Sequence, residues 1–319
     1  MPSLCGIATQ GFSIIPRIVP NARGKEEMSI IDTARNTEAK ISCLLSEGVR
    51  TAIRYYNFSN SRGLPEKRME LAEAQALGAN GIQIAVVFQQ SQDRVEHFTK
   101  QKGIQAGRHA YRYAEDNIGQ PPGSAIYFAV DFDADNNDVD NNVAPYFEGV
   151  KQAFAEQSGD HPEYRVGAYG SGLVCTTLAE RGLIELSWLA MSRGFRGTQE
   201  ALSSGRYHLS QRTPPASLCG LDVDFNDANP ERLDFGAFSI EGDSTGGPPL
   251  STAGERYVVV ARSGLRLREG PGTQFDIIGG MRFGQVVFVQ SITEGWARID
   301  VEGDGRIDGF ASAGFLERA

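Results

Sequence analysis

No stretch of this chain approaches the roughly 20 consecutive apolar residues that a membrane-spanning helix needs, so no helical span is expected. Positive charge is also scarce: 31 Lys and Arg stand against 40 Asp and Glu, a formal net charge of −9. Phosphate backbones are held by concentrated Lys and Arg, so nucleic acid is not expected as a partner. The opening residues show no basic region followed by a long apolar stretch, so no secretory signal is read there. The four cysteines, Cys5, Cys43, Cys175 and Cys219, lie far apart and form no CxxC pair, and the four histidines show no metal-ligand spacing. No metal or other cofactor is therefore expected. Free buried thiols are the preferred reading of the cysteines, with one or two disulfides left open. No Gly-x-Ser-x-Gly elbow is present, and no GxGxxG follows the first strand-like run.

What is present is alternation. Eight β-rich runs recur: 7–15, 49–56, 82–88, 125–132, 164–169, 186–191, 207–211 and 221–225. The runs at 82–88 and 126–131 are almost continuously apolar, as in strands buried on both faces. Between them lie stripes at helical spacing. Ile30, Ala34, Ile41, Leu44 and Leu45 form one, and Met69, Ala72, Ala76 and Leu77 another. Val143, Phe147, Val150 and Phe154 form a third. Ala106, Ala110 and Ala114 give a small-residue face suited to close packing on a sheet, and 172–181 is a shorter helix candidate. Eight strands alternating with helices predict an α/β fold, a closed (β/α)8 TIM-type barrel over residues 1–240. Glycines and prolines crowd 241–254, which reads as a linker. Over 255–319 helical periodicity disappears. Short alternating runs at 257–261, 265–268, 285–289 and 297–301, separated by glycine-rich turns, predict a small all-β barrel.

The tail resembles a bacterial SH3-like domain. The resemblance rests on the segment from Gly264 to Thr273, Ile277-Ile278-Gly279, Phe283 to Val286, Glu294 to Ile299 and Gly309 to Ser312. It implies a module that binds cell-wall glycan or peptide and is appended to wall-active enzymes. The first unit resembles a glycoside-hydrolase-like family of bacterial proteins related to the Chalaropsis-type lysozymes. Gly11-Phe12-Ser13, Arg54-Tyr55, 81–89, 125–133, 166–170, Trp188 to Ala190, His208 to Gln211 and Leu221 to Asn226 carry it. Those families usually carry an Asp in the first strand, where this chain has Ser13, and the lysozymes have Asp-x-Glu where this chain has Asp131-Phe132-Asp133. The resemblance implies action on peptidoglycan, in a muramidase-like way, at the cell wall or elsewhere outside the cytoplasm. A cytoplasmic location and a non-catalytic glycan-binding barrel stay open.

Strand residues two apart face one side, so Asp131 and Asp133 are expected to point together, and Asp222 with Asp224 likewise. In a barrel of this kind the strand ends form the active-site mouth. Glycoside hydrolysis needs a protonated acid for the leaving oxygen and a group that stabilises the cation-like centre, and crowded carboxyls divide those tasks by pushing their pKa values apart. The expected roles are Asp133 as acid, Asp131 as stabilising carboxylate and Asp224 orienting substrate or water, with Asp222 beside it. Arg54 is expected to hold a carboxylate ionised, and Tyr55, Tyr169, Trp188 and Gln211 to line the groove. The plainer alternatives are loop hydrogen bonding for the acids, an ion pair in the barrel for Arg54, and packing for the aromatics. The acidic run 133–140 lacks the glycine and the terminal Glu of a calcium loop and reads as a solvated loop opening the next helix.

Overall fold

The computed structural model describes residues 29–159, 163–240, 255–301 and 307–319. Two separate sheets divide the chain. The first runs β1 (Ser29–Asp32), β2 (Val49–Tyr56), β3 (Gln83–Phe88), β4 (Ala125–Ala129), β5 (Arg165–Gly170), β6 (Leu186–Leu189) and β7 (Leu209–Gln211), each parallel to the one before. β8 (Ala216–Leu218) and β9 (Leu221–Ala228) follow as a hairpin, and β9 closes the barrel by pairing with both β7 and β1. The barrel is therefore closed by eight strands, as expected.

Its eighth strand, however, is antiparallel to both neighbours. The reason is local. Only residues 212–220 separate β7 from β9, and a parallel return needs a dozen or more residues. The hairpin turn is Cys219-Gly220, both at positive φ (55° and 79°), the geometry of a two-residue type I′ turn.

The first strand is also not where periodicity put it. The run 7–15 lies outside the described residues, and β1 is the Ile30-Ile31 segment, whose spacing predicts the start of a helix instead. Both side chains are buried, Ile30 in the barrel interior and Ile31 against the helices. The helices are α1 (Ile41–Ser46), α2 (Leu71–Ala79), α3 (Lys100–Arg112), the short α4 (Asn136–Asp138), α5 (Ala144–Gln157), α6 (Gly172–Glu180) and α7 (Thr198–Ser203). The acidic loop does open a helix: Asp135 accepts from the Asp138 backbone N–H and Asp138 returns the bond, a capping box at the start of α4. Ala106, Ala110 and Ala114 are buried in the core that the strands share, and the glycines of α3 bring it close to α5. A Cβ on Gly103 would stand 1.9 Å from the Tyr146 carbonyl oxygen, and one on Gly149 2.2 Å from that of Lys100, so only glycine permits this approach.

Alternation along each strand sorts two apolar layers. Ile53, Ala85, Val87, Ala125, Tyr127 and Trp188 fill the interior, while Ala52, Ile84, Val86, Ile126 and Phe128 pack under the helices. The second sheet has the order β12-β11-β15-β14-β13-β10-β16. Its strands are β10 (Glu255–Val259), β11 (Leu265–Arg268), β12 (Ile277–Met281), β13 (Val286–Thr293), β14 (Trp296–Asp300), β15 (Gly309–Ser312) and β16 (Leu316–Arg318), antiparallel around Val259, Val287, Ala297 and Ile299. β12 contains Gly279-Gly280. The expected linker, 241–254, lies outside the described residues.

Cys43 of α1 and Cys219 of the closing hairpin form a disulfide, which corrects the reading of free thiols. Cys175 is the free, buried thiol among the described residues, and burial pushes its pKa up to about 12. Cys5 lies outside them. The disulfide ties the start of the barrel to its closing seam across 176 residues, so it removes much freedom from the unfolded chain. Reduction is expected to lower stability by about 3–5 kcal/mol, read as a drop in urea midpoint with and without reductant. An unchanged midpoint would show that the seam holds without it.

Candidate functional site

Each barrel strand sends one inward side chain to the same end of the barrel, the mouth towards which β1–β7 run. β1 supplies Asp32, β2 Tyr55, β5 Tyr169 and β6 Trp188. β7 supplies Gln211, and Gln89 and Asp131 sit just past β3 and β4. β9 runs the other way, so its residue at this end comes near its beginning: Asp224, in register with Asp32. Apart from Asp32, which lies beneath them, these side chains line a cavity of about 220 Å³, with Val87, Ala129 and Met191 completing its wall.

Asp32 is 2% exposed. Its Oδ2 accepts from Asn226 Nδ2 at 2.8 Å and Gln211 Nε2 at 3.0 Å, and Tyr55 Oη lies 3.4 Å from Oδ1. The two amides are themselves held. Trp188 Nε1 donates to Asn226 Oδ1 (2.8 Å), and the Tyr169 hydroxyl (2.8 Å) and the Met191 backbone N–H (3.2 Å) donate to Gln211 Oε1. That fixes both amide orientations and aims their N–H groups at the acid. Gln211 Nε2 also lies 3.3 Å from Asp224 Oδ2, whereas Asp224 Oδ1 is buried and has no hydrogen-bond partner among the described residues.

Burial pushes the Asp32 pKa from 3.8 up to about 7; the Asn226 hydrogen bond opposes the rise and the Asp224 charge adds to it. Asp224 is itself raised by burial. Registered residues of an antiparallel pair face the same side, so the two carboxyls are neighbours, and burial favours the protonated form of each. Asp131 is raised too, by burial first, against the Gln89 hydrogen bond (3.1 Å) and the Lys67 charge. β4 and β9 lie opposite each other around the eight-strand ring, so Asp131 faces the Asp32–Asp224 pair across the mouth.

Of the residues singled out in the sequence, Tyr55, Asp131, Tyr169, Trp188, Gln211 and Asp224 come together here. Three do not. β4 ends at Ala129 and the chain turns after Asp131, so Asp133 leaves the inward face. Its Oδ1 accepts from the Arg196 backbone N–H at 2.8 Å and its Oδ2 from the Arg196 guanidinium at 2.6 Å. Asp222 lies over the rim, with 88% of its side chain exposed and Arg35 3.8 Å away. Arg54 faces the helices: consecutive strand residues point oppositely, and its neighbour Tyr55 is the inward one. Fully buried, Arg54 bonds Glu73 of α2 at 2.7 and 3.1 Å, with further bonds to the carbonyls of Thr33 and Glu66.

Sequence reasoning missed Asp32, Gln89, Asn226 and Lys67. The acid that the family resemblance places in the first strand stands at Asp32, not at Ser13. The signal was present as two β-branched residues ending on an acid, Ile30-Ile31-Asp32.

The comparisons agree with this architecture. A model of the Rv2525c-like, glycoside hydrolase-like domain matches residues 42–217, and one of the bacterial SH3 domain matches 263–317. The chain is 34% identical over 177 residues to the uncharacterized protein YbfG of Bacillus subtilis (strain 168), covering 53% of this chain and 24% of that one. FadG of the same organism is 30% identical over 179 residues, covering 56% and 30%. The matched region thus spans less than a third of either relative. The crystal structure of the Mycobacterium tuberculosis Tat-secreted protein Rv2525c superposes with a TM-score of 0.54 at 22% identity, covering 66% of this chain and 98% of that one, a likeness of fold. This chain belongs to the Rv2525c-like, glycoside hydrolase-like family and carries a bacterial SH3 domain behind its barrel.

Proposed function

We propose that the barrel hydrolyses a β-linked amino-sugar glycan of the bacterial cell wall, in the manner of a muramidase, and that the SH3 domain keeps it on that polymer. The observation that carries this reading is the arrangement of acids: two neighbouring buried carboxyls, Asp32 and Asp224, face a third, Asp131, across an aromatic-walled cavity. Glycoside hydrolysis asks for a proton donor on one side of the scissile bond and a carboxylate on the other. Asp224 reaches the cavity and delivers a proton to the leaving oxygen; Asp32 behind it holds that proton at neutral pH. Asp131 stabilises the cation-like sugar or directs water to it. The acid role thus moves from Asp133, held by Arg196, to the buried pair. Tyr55, Tyr169 and Trp188 wall the cavity that takes the sugar, and Gln211 keeps the acids in place. A disulfide at the barrel seam suits an oxidising compartment outside the cytoplasm, where such a substrate lies.

Release of reducing ends from purified peptidoglycan, followed from pH 4 to 8, tests the reading. The active form carries one proton on the pair, so activity is expected to fall as pH rises through about 7, well above an ordinary carboxyl. Asp131→Asn is expected to lose about 10²–10⁴-fold in turnover. Binding to the wall without release at any pH would replace this reading with a glycan-binding barrel.

A further inference from the structure

Three arginines of the strand ends and their loops already face carboxylates. Arg54 is locked to Glu73, Arg35 lies near Asp222, and Arg196 holds Asp133. Lys67 differs. Its side chain is half-buried, its ammonium donates to Gln89 Oε1 at 3.1 Å and stands 4.7 Å from the centre of the Tyr55 ring, and among the described residues it forms no ion pair. Gln89 and Tyr55 both line the cavity, so the ammonium stands at the cavity edge, on the Asp131 side. An ammonium has three donors, and one of them meets Gln89. Burial lowers its pKa to about 8, which still leaves it mostly charged at pH 7.

Resting on the proposed hydrolase reading, we propose that Lys67 selects the substrate class: it recognises a carboxylate carried by the sugar unit that binds beside Asp131. The cavity itself supplies acids, amides and aromatic rings, which suit any neutral amino sugar; Lys67 adds a positive charge placed for an anionic substituent. An acidic glycan is therefore preferred over a neutral polymer with the same backbone. The carboxylate has two possible sources, an acid attached directly to the sugar or the free carboxyls of a peptide attached to it.

The test measures equilibrium binding by calorimetry with the full chain, which needs no turnover and so stands apart from the fate of the hydrolase reading. The ligands are neutral chitin oligomers, wall glycan strands stripped of peptide, and the same strands with peptide retained. The expected result is about tenfold tighter binding of a carboxylate-bearing strand than of the neutral oligomer, weakening with salt. Preference for the stripped strand places the carboxylate on the sugar; preference for the intact one places it on the peptide. Lys67→Met is expected to bring the preference close to one, and Lys67→Arg to restore most of it. Equal binding of neutral and acidic strands by the wild type, no binding of either, or a loss in Lys67→Met that falls equally on both, would overturn the proposal.

Discussion

Asp32→Asn is expected to cut turnover by orders of magnitude while making the protein more stable. The native pKa of Asp32 is raised from 3.8 to about 7 chiefly by burial, so the folded state binds its proton more tightly than the unfolded chain does. Between those two values the native state holds the extra proton, and stability falls as pH rises. The full cost is present above pH 7 and is absent near pH 3. It amounts to about 4 kcal/mol at most, from about 1.4 kcal/mol per pKa unit. Asparagine is nearly isosteric, keeps an oxygen for the Asn226 and Gln211 donors, and carries no charge. At pH 8 the variant should therefore unfold later by a few kcal/mol, the gain shrinking towards zero near pH 4. Under the proposed function, turnover on peptidoglycan should drop by about 10²–10⁴-fold, because Asn cannot supply the acid's proton. Urea unfolding at pH 4 and 8, run beside the activity assay, checks both halves. A variant less stable than the wild type at pH 8 would mean that Asp32 is ionised and structural.

Glu73→Ala is expected to be among the most damaging single changes to the barrel. Glu73 and Arg54 are both fully buried, and the same carboxylate accepts from the Thr37 backbone N–H (2.8 Å) and hydroxyl (2.7 Å). Removing it strands the Arg54 guanidinium without its counter-charge, in a place that water does not reach, and leaves two further donors unmet. A loss of about 3–5 kcal/mol follows. The paired replacement Arg54→Met with Glu73→Leu should recover most of it, because no charge is then left buried. Denaturant midpoints of the single and double variants decide the matter. A loss below about 1 kcal/mol in the single variant would show that Arg54 finds other partners.

The contrast between Arg54 and Tyr55 shows how much of the site could be read without coordinates. Both were expected at the mouth, Arg54 to hold a carboxylate ionised and Tyr55 to line the groove, yet period-2 alternation separates adjacent strand residues. Applied strictly, it assigns Tyr55 to the barrel interior and Arg54 to the helix side, as found. The same rule led astray at Asp133, because alternation holds only while the strand lasts, and β4 ends four residues earlier. The antiparallel run of the closing strand was also legible, since nine residues cannot carry a parallel crossover. Asp32 was harder: four residues of strand, two of them apolar, look the same in a helix as in a barrel, and only burial on both sides tells them apart.

The sequence by itself determined the alternating α/β barrel, the all-β tail, and the ring of Tyr55, Asp131, Tyr169, Trp188, Gln211 and Asp224, because hydrophobic period and strand-end position are local properties. Tertiary structure alone decided which acids meet. Asp32 and Asp224 stand 192 positions apart and become registered neighbours only when β9 closes on β1. The burial that raises the Asp32 pKa is likewise a property of the closed barrel. So is the disulfide between Cys43 and Cys219, whose partners no spacing rule connects. Each of these depends on contacts between distant segments, and such contacts exist only after the chain has closed on itself.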